Sequence, residues 1–170
     1  MARVYVSMGS NIERNVNVRA GLDALRQHFG ELLCSAVYES KAVGFAGDNF
    51  YNLVVGFDTG EDVYAVARIL HEIEDKQKRR RDGGKFASRS LDLDLILYDD
   101  LVLAHDRLKI PRDEIETYAF VLQPLAEIAP HARHPVSGIR YAQLWAQFEG
   151  AGKDEQWVVP FDGSATLCSQ

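Results

Sequence analysis

A chain of 170 residues that is 46% hydrophobic and 26% charged has the size and balance of one globular domain, which makes a two-domain reading strained. No stretch approaches the ~18 uninterrupted apolar residues of a membrane span. Met1-Ala2-Arg3-Val4-Tyr5 runs straight into a strand-like pattern rather than a signal peptide, so the expected protein is soluble, unprocessed and cytoplasmic, while the net charge of −6 argues against general nucleic-acid binding.

In chain order, Arg3 to Met8 alternates as a strand. After Gly9-Ser10-Asn11, the apolar positions Val18, Leu22, Leu25 and Phe29 fall at helical spacing. Ser10 followed by Glu13 fits a capping box that would start this helix, although the same free N–H groups could face an anion. Leu32 to Tyr38 and Phe50 to Phe57 are rich in β-branched and aromatic residues and read as two strands. They are joined by the long stretch Glu39 to Asn49, whose apolar Val43 and Phe45 suit a functional loop better than a tether. Cys34 and Cys168 show no CxxC spacing, which suggests a reducing compartment and neither a disulfide framework nor a zinc site.

Asp62 opens a second helix with the stripe Val63, Val66, Leu70 and Ile73. It ends in a basic run: residues 76–89 hold Lys76, Lys78, Arg79, Arg80, Arg81, Lys85 and Arg89 against one acid, Asp82, a net +6 that leaves −12 for the rest of the chain. A basic segment within an acidic protein suits a small polyanion. Leu91 to Tyr98 reads Leu-Asp-Leu-Asp-Leu-Ile-Leu-Tyr, with Leu91, Leu93, Leu95 and Leu97 expected on one face and Asp92 and Asp94 on the other. The order βαββαβ is the ferredoxin-like α+β arrangement, an antiparallel sheet with both helices on one face. Past the turn at Asp99-Asp100, a short strand at Leu101 to Leu103, a helical turn near Pro111 to Tyr118 and an apolar stretch Phe120 to Ile128 precede a less regular C-terminal extension. The expected organisation is one domain over 1–170 with its core at about 3–130, and a monomer is the default.

The chemistry concentrates at one place. Two carboxylates two residues apart on a strand lie roughly 6 to 7 Å apart at the backbone and repel unless compensated. Mg²⁺ compensates both while keeping positions for water and phosphate oxygens, so Asp92-Leu93-Asp94 is an incomplete site that a nucleotide can finish. Taken alone, the pair reads equally well as an acidic solvent-facing strand; the basic segment arriving just before it favours the metal–phosphate reading. Arg79 and Arg89 are the natural phosphate partners, because a guanidinium donates two bonds at once and keeps its charge. Gly83-Gly84-Lys85 is too little for a GxxxxGK[ST] loop and suits a segment that closes over phosphates. Arg80 and Arg81 read as well as solvated loop residues as phosphate contacts.

Gly9-Ser10-Asn11, Tyr38-Glu39-Ser40, Phe50-Tyr51-Asn52, Glu74 to Arg79, Arg89-Ser90-Leu91-Asp92-Leu93-Asp94-Leu95 and Pro124-Leu125-Ala126-Glu127-Ile128-Ala129-Pro130 together resemble the 6-hydroxymethyl-7,8-dihydropterin pyrophosphokinase family. The resemblance runs through residues 3–130. It implies a ferredoxin-like core and Mg²⁺-dependent transfer of the pyrophosphoryl group of ATP to the pterin hydroxymethyl group, releasing AMP, in folate synthesis. It makes Asp92 and Asp94 ligands of two Mg²⁺ ions. Arg79 and Arg89 become charge-stabilising catalytic arginines, and Glu74, Arg107 and Arg112 neighbours of ATP. Phe50 and Phe120 correspond to the aromatic pair around the pterin, Asn52 to the side chain reading its polar edge, and Ser40, Val43 and Phe86 to further lining residues.

The chain departs from the family pattern at several of these places. Arg112 stands at a common histidine position, Tyr118 at a frequent arginine, Phe86 at a tryptophan, Lys41-Ala42 at prolines and Lys78 at a glycine. They predict retained chemistry with altered ATP affinity, loop behaviour or pterin preference. Two alternatives stay open on the sequence: a paralogue with another hydroxylated heterocycle as acceptor, and a non-catalytic nucleotide- or RNA-binding module of the same fold.

Overall fold

The N-terminal alternation builds the middle of a sheet in a computed structural model that describes residues 1–41, 48–82 and 91–161, and for 79–82 the backbone alone. Strand β1 (Ala2–Ser10) leads to helix α1 (Arg14–Phe29), then to β2 (Leu33–Cys34), β3 (Val37–Ser40), β4 (Phe50–Thr59), helix α2 (Val63–Asp82) and β5 (Asp92–Tyr98). A hairpin of β6 (Leu103–His105) and β7 (Leu108–Ile110) follows, then α3 (Glu114–Thr117), α4 (Ala119–Ile128), α5 (Tyr141–Ala146) and β8 (Gln156–Val159). The main sheet has the order β5-β1-β4-β3-β8 with every pair antiparallel, and β2 also pairs with β4. This is the expected ferredoxin-like arrangement, extended at one edge by β8.

Each face of the sheet has its own core. On one, Val4, Val6 and Met8 of β1 and Leu53, Val55 and Phe57 of β4 meet the stripes of α1 (Val18, Leu22, Leu25) and α2 (Val66, Leu70, Ile73). The period-2 alternation of the strands meets the 3.6-residue stripe of the helices, which is why these elements were legible. Gln77 Nε2 donates to Asn17 Oδ1 at 2.8 Å, a satisfied polar contact between α1 and α2 at this depth. On the opposite face, Val54, Ile96 and Leu97 pack against Ile115, Val121, Leu122 and Leu125 of α3 and α4, with Tyr141 and Phe148 behind. Glu127 fastens α4 to the sheet: its Oε1 accepts from Tyr38 Oη at 2.6 Å and its Oε2 from the Ala36 N–H at 2.7 Å.

Several expectations change. Helix α1 starts at Arg14, led in by Glu13 at φ 40°, and Ser10 Oγ donates to the Ile12 carbonyl at 3.1 Å. Asp62 does cap α2, its Oδ1 accepting the Ala65 N–H at 2.9 Å. That helix runs to Asp82, so Arg79 to Arg81 continue a helix rather than occupy a loop. The stretch Leu32 to Tyr38 divides into β2 and β3, and the short strand expected at Leu101 to Leu103 begins instead at Leu103. The expected C-terminal irregularity resolves into α5 and β8, and the helical turn near Pro111 to Tyr118 narrows to α3. Cys34 lies in β2, and Cys168 lies outside the described residues.

Leu97 moves to the other face. β1 and β5 pair Tyr5 with Leu97 but Val6 with Leu95, so Ile96 is an inserted residue. The bulge flips the alternation beyond it, leaving Leu91, Leu93 and Leu95 in the α1/α2 core while Leu97 joins Ile96 in the other.

Candidate active site

Beyond the reach of α4, the second sheet face opens into a cavity of about 500 Å³. Register explains its floor. Gly9 faces Asn52 across β4 and Asp92 across β5, and Ser7 faces Asp94, so glycine, amide and both carboxylates stand on one face of three adjacent strands. Phe50 extends the β4 row. Ser40 and Lys41 close one side, and Arg112, Glu114, Tyr118, Phe120 and Val121 form the wall opposite.

At the acidic end, Asp92 is half-buried and Asp94 exposed. Glu74 reaches from α2 behind them, its Oε2 accepting the Leu93 N–H at 3.0 Å. Burial pushes the Glu74 carboxyl above its ordinary range; the bond from Leu93 opposes this, and the charges of Asp92 and Asp94 reinforce it. Among the described residues, no three or more His, Cys, Asp or Glu groups close around an ion. Asp92 and Asp94 bring hard carboxylate oxygens to the cavity, a donor set that fits Mg²⁺ shared with phosphate.

The cation beside them is Arg112. The bulged residue Ile96 accepts the Arg112 N–H at 3.2 Å, which ties the segment after β7 to β5 next to Asp94. Its guanidinium donates from Nε to Glu114 Oε2 at 3.1 Å and from Nη2 to Glu114 Oε1 at 2.9 Å. That pairing outweighs burial and keeps Arg112 firmly charged, with Asp94 adding to the effect.

The other end is flat and apolar with one polar reader. Asn52 is buried, and its Nδ2 donates to Ser40 Oγ at 2.7 Å, which fixes the amide orientation and leaves Oδ1 as the acceptor. A Cβ on Gly9 would stand 3.0 Å from that Oδ1, so glycine here keeps room for it. Phe120 stacks on Tyr118 with ring centroids 5.0 Å apart and planes inclined by 23°.

Of the residues singled out in the sequence, Ser40, Phe50, Asn52, Asp92, Asp94, Arg112 and Phe120 converge on this cavity. Glu74 lies behind it. Arg107 is exposed at the turn between β6 and β7 and does not line the cavity. Val43, Phe86, Arg89 and the Arg79 side chain lie outside the described residues. Sequence reasoning missed Ser7 and Glu114 as lining residues and read Tyr118 only as a departure. Ser7 carried one usable signal, since the strand alternation already placed it beside Gly9.

The chain matches the family model described as 7,8-dihydro-6-hydroxymethylpterin-pyrophosphokinase (HPPK) over residues 5–130. It is 37% identical over 154 residues to the 2-amino-4-hydroxy-6-hydroxymethyldihydropteridine pyrophosphokinase of Pseudomonas aeruginosa, covering 87% of this chain and 94% of that one. It is 33% identical over 138 residues to the protein of the same name from Aquifex aeolicus, covering 80% and 86%. Among solved structures, a Plasmodium falciparum HPPK-DHPS aligns with a TM-score of 0.69 at 14% identity, over 86% of this chain and 43% of that one. At that identity the structural likeness speaks for the fold alone, and this chain spans under half the length of that neighbour.

Proposed function

The chain belongs to the 7,8-dihydro-6-hydroxymethylpterin-pyrophosphokinase family, and from that membership and the cavity we propose how it transfers pyrophosphate from ATP to 6-hydroxymethyl-7,8-dihydropterin, giving AMP and the pterin diphosphate for folate synthesis. Membership displaces the RNA-binding alternative. The observation that carries the site assignment is the meeting, in one cavity, of an acidic pair, a fixed guanidinium and an amide-and-aromatic pocket.

In this reading the cavity has two ends. Asp92 and Asp94 would hold two Mg²⁺ ions, which when bound would supply charge neutralisation for the triphosphate. Arg112, together with Arg79 and Arg89, donates to phosphate oxygens and stabilises charge as the bond to the α-phosphate breaks. Asn52 Oδ1 accepts from an N–H on the edge of the flat acceptor, with Ser40 fixing which way the amide points. Phe50 and Phe120 bear on the two ring faces and keep water off the hydroxymethyl group. The protein's contribution is positioning, which is what this class of transfer demands most. Because residues 131–161 supply α5 to the second core and β8 to the main sheet, we read residues 1–170 as one pyrophosphokinase domain.

The test separates the two ends. Phe120→Ala is expected to raise KM for the pterin about ten-fold or more while leaving KM for Mg-ATP within about two-fold, since it removes a ring face but no phosphate contact. Asp92→Ala is expected to abolish AMP formation. Equal changes in both KM values for Phe120→Ala, or normal turnover in Asp92→Ala, would contradict the assignment.

A further inference from the structure

Glu114 grips the Arg112 guanidinium along a single edge. A guanidinium carries five N–H donors, and the bonds from Nε (3.1 Å) and Nη2 (2.9 Å) take two of them, one to each carboxylate oxygen. The three N–H groups that Glu114 does not use lie at the Nη1/Nη2 end, the fork that meets a phosphate with two parallel bonds. Both side chains are about one-third exposed, at 30% and 35%, and both line the cavity that holds Asp92 and Asp94. The backbone at each end of the pair is also fixed, Arg112 by its bond to Ile96 and Glu114 as the first residue of α3. A long side chain is thereby held in one orientation before any ligand arrives.

We propose that Glu114 is a positioning residue of the transfer reaction, holding Arg112 by its Nε edge so that the opposite fork is presented to the phosphates of the nucleotide. The inference rests on the reading of the cavity as the nucleotide site. It has a sharp opposite. A carboxylate merely standing near a triphosphate repels it, so removing the charge tightens nucleotide binding. A carboxylate that orients the guanidinium does the reverse, because a released arginine must pay rotamer entropy to regain its geometry.

Glu114→Gln decides between these signs, because it keeps the shape and removes the charge and one acceptor. The full chain is assayed for pterin-dependent AMP release, and its affinity for a non-hydrolysable ATP analogue with Mg²⁺ is measured by calorimetry. Positioning predicts that KM for Mg-ATP and the analogue Kd both rise about five-fold or more, with KM for the pterin within about two-fold. In an Arg112→Lys background, which keeps a cation but not the fork, Glu114→Gln adds less than about two-fold, since the partner it orients is gone. An unchanged or lower Kd in Glu114→Gln, or a full effect persisting in the Arg112→Lys background, overturns the proposal. A general loss of fold would instead move the pterin KM and the thermal midpoint together. Wild-type turnover tests the reading of the site separately, and the calorimetric comparison stands whatever that turnover is.

Discussion

The two faces of one sheet have been put to different uses. On the α1/α2 face every inward position from Val4 to Met8 and from Leu53 to Phe57 meets a helix, and the surface is closed. On the opposite face α4 covers Val54, Ile96 and Leu97 and stops, leaving Ser7, Gly9, Asn52, Asp92 and Asp94 of the same three strands around a cavity. Strands that are packed on one side can carry charges and a buried amide on the other, because the apolar face supplies the stability that the polar face does not. Substitutions on the two faces are therefore expected to fail in different ways.

The largest effect is expected from Asp94→Ala. Asp94 is exposed, so the thermal midpoint should stay within a few degrees while AMP formation falls by about 10³-fold or more, measured by steady-state kinetics and thermal unfolding side by side. The mirror image is Leu25→Ala on the closed face, at a fully buried position. It should cost about 2 to 5 kcal/mol in urea unfolding and leave KM for both substrates unchanged below the transition. A smaller effect belongs to Gly9→Ala, whose Cβ presses on Asn52 Oδ1. It should raise KM for the pterin by roughly ten-fold, in line with about 1.4 kcal/mol of misplaced acceptor, and spare KM for Mg-ATP.

The smallest is electrostatic. Arg3 and Asp58 pair across β1 and β4 at 2.7 Å, and the bond from Arg3 holds the Asp58 carboxyl below its ordinary value of 3.8 against a small effect of burial. A carboxyl lowered in the folded state adds stability that is present above its unfolded value and is lost as pH falls through the lowered folded one. Asp58→Asn should thus cost less than about 1 kcal/mol at pH 7, and nothing once the pH lies below both values, as read from urea midpoints across the acid range.

The closed face was the more legible of the two. Val18, Leu22, Leu25 and Val63, Val66, Leu70 repeat at helical spacing, and the strand alternation that fixes β1 and β5 also places Asp92 and Asp94 together. What the sequence hid depends on contacts between distant segments. Nothing in Leu-Asp-Leu-Asp-Leu-Ile-Leu says that Ile96 is an inserted residue and not one more step of the alternation, yet the insertion sends Leu97 across the sheet and gives the Arg112 N–H its partner. Glu114 two residues after Arg112 is an ordinary acid in sequence and becomes a bidentate partner only because α3 starts there. The spacing of Ser10 and Glu13 likewise gave no sign that Glu13 would take a left-handed backbone and that the helix would start at Arg14.

In the proposed reading the open face joins one nucleotide end to one acceptor end. The most direct test is the initial rate of AMP release from Mg-ATP as 6-hydroxymethyl-7,8-dihydropterin is titrated, with the pterin diphosphate quantified in the same samples. Saturable dependence on the pterin and one AMP for each pterin diphosphate formed are expected; AMP release that is independent of the pterin, or no pterin diphosphate at saturating Mg-ATP, would rule out a cavity that joins the two ends.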